Sequence, residues 1–149
     1  MINQTQLEIH SYSGEGYLPL MHHEEWRIAE LRYCEELLPE NISKLQRHNE
    51  TDEVFILLAG HCTLFLGGNA PRIGKIDGQP MEPLKVYNIR RGTWHSHTLS
   101  PDATVLIIEN ENTCDDNSPE AELTERQKMR LTAEADRCAQ IEQANVESD

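Results

Sequence analysis

The sequence predicts an all-β sandwich or barrel followed by a C-terminal α-helix. Three observations predict it. Short runs rich in β-branched, aromatic and large apolar residues recur at close spacing, Gly- and Pro-rich turns separate them, and a helical period takes over near residue 124. The chain has 149 residues, 38% hydrophobic and 26% charged, which suits one folded domain with a single core.

Taken in order, residues 1–25 read as a loose lead-in, with turn signals at "SGEG" and at Pro19. "EWRIAELRYC" (25–34) alternates in character and reads as a strand. Its two faces, Trp26/Ile28/Glu30/Arg32 and Arg27/Ala29/Leu31/Tyr33, are so evenly mixed that the pattern does not select the inward one. "ELLPENIS" is a connection, with Pro39 and Asn41 as turn residues. Two strands follow, "DEVFILLA" and "CTLFLG", joined tightly around Gly60-His61. Residues 67–83 hold four of the eight glycines and three of the seven prolines, so loops and short hairpins are expected there. Residues 84–110 supply three more short strands, with turns at "RRG" and "SPDA". The expected total is seven or eight strands.

Thr124 followed three residues later by Gln127 is a capping-box pattern. The stretch after it is rich in helix formers and lacks Gly and Pro, which predicts a helix over about residues 125–143. Met129, Ala133, Asp136 and Ala139 would share one face, with Leu131 and Ala135 nearby, a weak apolar stripe that suggests surface packing or a subunit contact rather than a core element. The domain plan is therefore a lead-in at 1–25, a β domain at 26–112 and an acidic C-terminal segment at 113–149.

The formal net charge of −13 argues against nucleic acid or an anionic membrane as partner, although much of it lies from Glu109 onward. No apolar stretch approaches the roughly 18 residues a membrane span needs. The N-terminal "MINQTQLEIHSYSGEG" lacks a basic start and an apolar core, so a cytoplasmic location is expected. The scattered Cys34, Cys62, Cys114 and Cys138 form no C-x-x-C pair and are expected to be free thiols.

Side chains two apart on a strand share a face. Gln46 and His48 would point the same way, Glu53 is in phase with Phe55 and Leu57, and His95 and His97 share a face of a later strand. Imidazole nitrogens and a carboxylate suit a first-row divalent metal, and two histidines with one acid leave positions open for water or substrate. Lys44 shares the phase of Gln46 and is a candidate contact for an anionic substrate group, with Arg90 a weaker one. His97 orients a ligand, faces substrate as a base, or is an inward polar residue. Trp94 falls opposite His95, which suits wall packing. His61 is expected to be exposed at its turn, and the adjacent His22 and His23 point apart.

Within "RHNETDEVFILLAG", His48, Glu53 and Gly60 are spaced as a His, four residues, a Glu, six residues and a Gly. "RRGTWH" places Gly92 and His95 as in a Gly-x-x-His core. Over roughly residues 26–110 the chain resembles the cupins, small double-stranded β-helix (jelly-roll) proteins. The sequence departs from their pattern at Gln46, where a His is usual, and at Arg90, Leu84 and Leu99, which replace a Pro, a Gly and an Asn. The resemblance implies one divalent metal ion (Fe, Mn, Zn or Ni) held by His48, Glu53 and His95, with Gln46 as a weak or water-mediated fourth group. It also implies a small-molecule partner and a homodimer.

Three functions follow from it. The first is metal-dependent isomerase, epimerase or lyase chemistry on a sugar, sugar acid or other carboxylate, with His97 or Lys44 moving a proton. The second is a non-haem Fe(II) dioxygenase. The third is a non-catalytic binding or sensing module. Because every matched residue precedes it, the helix from about Thr124 onward is expected to be dispensable for the site, and truncation after Thr113 is expected to leave affinity nearly unchanged.

Overall fold

The computed structural model describes residues 1–148, so Asp149, the end of the predicted acidic segment, lies outside the described residues. Ten strands form two five-stranded sheets. In chain order they are β1 (Gly16–His23), β2 (Trp26–Arg32), β3 (Lys44–Gln46), β4 (Glu53–Ala59), β5 (Cys62–Leu66), β6 (Asp77–Pro80), β7 (Val86–Ile89), β8 (His95–Leu99), β9 (Thr104–Asn110) and β10 (Glu120–Glu122). The first sheet runs β1-β2-β9-β4-β7 and the second β10-β3-β8-β5-β6, with every pair antiparallel. One helix follows, α1 (Glu125–Val146). This is the all-β jelly-roll class with a C-terminal helix.

Strand alternation builds the core. Phe55 and Leu57 of β4, Val105 and Ile107 of β9, and Ala29 and Leu31 of β2 meet Cys62, Leu64 and Leu99 of the second sheet. The mixed strand β2 is thereby resolved: the Arg27/Ala29/Leu31 face points inward. Its apolar signal is diluted because Arg27 is held inside by Glu109, its cross-strand neighbour on β9.

Strand β5 is apolar on both faces because both are covered. Leu64 enters the core between the sheets, and Phe65 enters a second cluster with Ile42, Leu45, Ile76, Trp94, Leu123 and Leu131. Trp94 is thus wall packing, with the Arg47 guanidinium 4.7 Å over its ring. Helix α1 covers this outer face. The predicted capping box is present: Gln127 N donates to Thr124 Oγ1 at 3.2 Å and Thr124 N to Gln127 Oε1 at 3.0 Å. The buried face is centred on Leu131, expected only to flank the stripe, and it joins the core cluster, where surface packing or a subunit contact was expected. It carries Leu131, Glu134 and Cys138, whereas Met129 is 73% exposed.

Two strands lie where the sequence suggested none, and a third answers the short hairpins expected in the Gly/Pro-rich stretch. Strand β1 forms inside the expected lead-in, β6 inside the Gly/Pro-rich stretch and β10 in the C-terminal segment. Both faces of β1 are largely exposed, so it is held by pairing with β2 and shows no apolar alternation. Gly60 makes the tight β4–β5 joint. Its φ is +69°, and a Cβ there would sit 2.6 Å from both the Cα and the nitrogen of Ala103. The four cysteines are free, and among the described residues no helix is long and apolar enough to cross a membrane.

Candidate metal centre

His48, Glu53 and His95 come together at one end of the barrel, all buried, with one donor atom from each inside a cluster no wider than 4.8 Å. Each arrives from a different element. Glu53 opens β4 on the same face as Phe55 and Leu57. His95 opens β8, and its neighbour across the sheet is Gln46 at the end of β3. His48 lies just past β3, where its carbonyl accepts a 2.7 Å bond from Gly92 N, so the turn "RRG" ties the two halves of the site together. Glu53 Oε2 lies 3.2 Å from His48 Nε2 and 2.8 Å from His95 Nε2.

The outer nitrogens determine what the inner ones present. His95 Nδ1 is 2.8 Å from the Thr93 carbonyl, which can only accept, so Nδ1 carries a proton. His48 Nδ1 is 2.7 Å from Ser118 Oγ. The Ser118 hydroxyl donates to Asn117 Oδ1, and that amide is oriented by Cys114 N donating to Oδ1 and by its own Nδ2 donating to the Asn112 carbonyl. Ser118 Oγ therefore accepts from His48 Nδ1–H. A neutral imidazole at either position, with its proton on Nδ1, turns an Nε2 lone pair toward Glu53, the arrangement of a divalent-metal donor set. The donor set fits a divalent metal ion.

The same contacts also serve protonated imidazoles. Burial pushes the Glu53 carboxyl upward, but bonds from His48 and His95 outweigh it and hold the group well below the usual carboxylate range. Burial pulls His95 down, and Glu53 reverses the balance, so its pKa is raised. His97 is in phase with His95, its ring 5.5 Å from that of Phe55, and its Nδ1 is buried without a partner. Desolvation, with some repulsion from His95, pushes its pKa down to about 4.

Two cavities flank the centre and share Gln46, Glu53 and His97. One, of about 330 Å³, also has His95, Lys44 and Glu120 in its wall. The other, of about 320 Å³, adds His48, Glu109, Arg27, Tyr17 and Ser118. Gln46 Nε2 donates to the Ser118 carbonyl at 3.3 Å. Lys44 sits at the rim, where its ammonium pairs with Glu120. Arg90 is away from the cavities, side chain 82% exposed and near Asp52, which removes it as a substrate contact. His61 is exposed at its turn, 3.6 Å from Glu142, and His22 and His23 are exposed near the end of β1.

Sequence reasoning missed Glu109, Arg27, Tyr17 and Ser118. Glu109 ends the inward row Val105/Ile107/Glu109 of β9, a phase readable in "TVLIIEN". Instead it counted as the first acid of the acidic tail. Ser118 and β10 bear on the expected truncation point, since a cut after Thr113 would remove them together with the helix. Helix α1 lines neither cavity, but the stretch before it supplies the His48 partner and pairs with β3.

No family model matches the sequence, and no curated protein matches it. Solved structures do. A cupin-2 domain protein from Shewanella frigidimarina is 16% identical, over 67% of this chain and 85% of its own, with a TM-score of 0.46. A variant of Streptomyces PAC13 with uridine is 7% identical over 82% and 96% of the two chains, with a TM-score of 0.54. Pac13 is described as a unique nucleoside dehydratase. Hydroquinone 1,2-dioxygenase from Sphingomonas sp. TTNP3, with 4-hydroxybenzoate bound, is 10% identical over 68% and 69%, with a TM-score of 0.52. The chain has the cupin fold.

Proposed function

We propose that this cupin-fold chain binds one divalent metal ion through His48, Glu53 and His95 and acts on a small polar substrate by proton transfer, as an isomerase, epimerase or lyase. The observation that carries the reading is the convergence of three donor atoms whose outer partners leave both Nε2 lone pairs directed at Glu53. A bound ion would act as a Lewis acid toward a carbonyl or carboxylate oxygen. The remaining chemistry belongs to the chain. His97 borders both cavities, where its imidazole is placed to take or return a proton. Lys44, paired with Glu120 at one mouth, offers an ammonium to an anionic substrate group. Cavities of about 330 and 320 Å³ suit a molecule of sugar-acid size, and Lys44 in one wall and Arg27 and Tyr17 in the other offer donors to its hydroxyls and carboxylate.

The dioxygenase reading draws support from the same two-His, one-carboxylate set, which is the ligand type of non-haem Fe(II) oxygenases. Proton NMR in D2O separates the readings. Untagged, metal-loaded protein is incubated without oxygen with a panel of sugars, sugar acids and hydroxy acids. The proposal expects solvent deuterium at a carbon next to a carbonyl or carboxylate, and loss of that exchange in His97→Ala. Oxygen uptake by the iron-loaded protein with no anaerobic exchange would favour the dioxygenase. Thermal stabilisation by a panel member with neither reaction would favour a binding module.

A further inference from the structure

We propose that Glu109, on the last strand of the first sheet, is the fourth protein ligand of the metal centre, in the place that the motif resemblance assigns to position 46. The inference rests on the metal-site reading above and extends it to a residue that no motif marks.

The two oxygens of Glu109 have opposite surroundings. Oε1 accepts from Tyr17 Oη at 2.5 Å, Arg27 Nη2 at 2.9 Å and Arg27 Nε at 3.2 Å. Oε2 has no hydrogen-bond partner, although the side chain is only 3% exposed. It lies 3.9 Å from His48 Nε2, the atom that also faces Glu53. Buried carboxylate oxygens are rarely left bare, because desolvation removes their water and nothing replaces it. One oxygen saturated by three donors and the other bare beside a ligand nitrogen is the division expected of a one-oxygen metal ligand held from behind.

Strand register gives a second, independent reason. Val54 of β4 pairs with Ile108 of β9, so the next step of the ladder brings Glu53 alongside Glu109, both on the inward face. Like charges opposite each other on neighbouring strands repel, more so inside a barrel. Arg27 answers part of that repulsion through Oε1, and a cation between the carboxylates answers the rest. Glu109 stands outside the three-residue cluster, on its His48 side. Its carboxylate can turn inward because only Oε1 is anchored. Gln46 bonds the Ser118 carbonyl through Nε2, which leaves only a neutral amide oxygen to compete with the Glu109 carboxylate, the stronger donor.

Zn(II) affinity of the full-length, untagged chain, measured by competition with a chromophoric chelator, tests this. Glu109→Gln should weaken binding by about tenfold or more, the loss typical when a metal's carboxylate support is removed. Gln46→Ala should stay within about threefold of wild type on the same scale. The Co(II) absorption spectrum should change in Glu109→Gln and superimpose on wild type in Gln46→Ala. If Glu109 serves only to neutralise Arg27, removing both in Arg27→Met/Glu109→Gln restores wild-type affinity, and the proposal fails. If Glu109→Gln alone does not fold, the drop from Arg27→Met to the double variant carries the same comparison. Unchanged affinity in Glu109→Gln, or a larger loss in Gln46→Ala, also overturns it. A wild type that takes up no Zn(II) overturns the metal site itself, an outcome distinct from losing only the fourth ligand.

Discussion

Ser118 and His48 are 70 residues apart in sequence, yet the serine hydroxyl decides which imidazole nitrogen of His48 is free. Its own proton goes to Asn117 Oδ1, so it can only accept from Nδ1–H. Ser118→Ala should therefore weaken divalent-metal affinity by about tenfold, with apo stability changed far less. Chelator competition and apo-protein melting, run side by side, check both halves. Equal affinity in the variant would remove Ser118 from the site. The residues legible in the sequence were those with fixed local spacing: His48 stands five residues before Glu53, and His95 follows Gly92 in the second motif, although 42 residues separate Glu53 from His95. Arg27 and Ser118 were illegible because their partners are 82 and 70 residues away in sequence, and Glu109, whose inward phase was readable, lacked a motif to mark it. Arg27 also disguised the inward face of β2, since a cation on a core face looks like a surface position until its partner is known.

Helix α1 shows the same effect one level up. Its start was legible, because a capping box is local chemistry. Its buried face was not, because Glu134 points inward to the edge strand β6. Glu134 Oε2 accepts from Gly78 N at 2.9 Å and from Arg137 Nη2 at 2.7 Å, while Arg137 Nη2 also donates to the Gly78 carbonyl at 2.8 Å. The helix thus occupies backbone groups that an edge strand would otherwise leave open.

Gly78 permits that approach. A Cβ there would lie 2.9 Å from Cys138 Sγ and 3.3 Å from Glu134 Cβ. Gly78→Ala should cost roughly 1–3 kcal/mol by overpacking. Denaturant unfolding should show that loss, with part of it recovered in Gly78→Ala/Cys138→Ala; an unchanged midpoint for the single variant would refute the close contact. The Glu134 carboxyl is held below its ordinary value of 4.5, first by the Arg137 bond and then by Gly78 N. A depressed folded pKa contributes stability above the unfolded value and loses it as pH falls through the folded one. Wild type should therefore lose more stability than Glu134→Gln on acidification below about pH 4.5, and parallel pH–stability curves would contradict the docking role.

Across the whole molecule, the jelly roll was legible in outline and the number of strands was not. Strands β1 and β10 lack apolar alternation and exist because neighbours pair with them. Edge strand β1 exposes Tyr17 and Leu18, and Trp26 beside it is 41% exposed. An apolar edge of this kind suits pairing with a second copy, so the chain is expected to be a homodimer. Light scattering at micromolar concentration should give twice 17.1 kDa, and a mass of 17.1 kDa would contradict the dimer.

The assembled barrel directs two imidazoles and a buried carboxylate at one point, and the account depends on a metal ion being held there. The most direct test is elemental analysis of the untagged protein after dialysis against a mild chelator, with His48→Ala treated identically. One divalent ion per chain is expected in the wild type and none in the variant. A wild type free of metal, or a His48→Ala protein that retains it, contradicts the assignment.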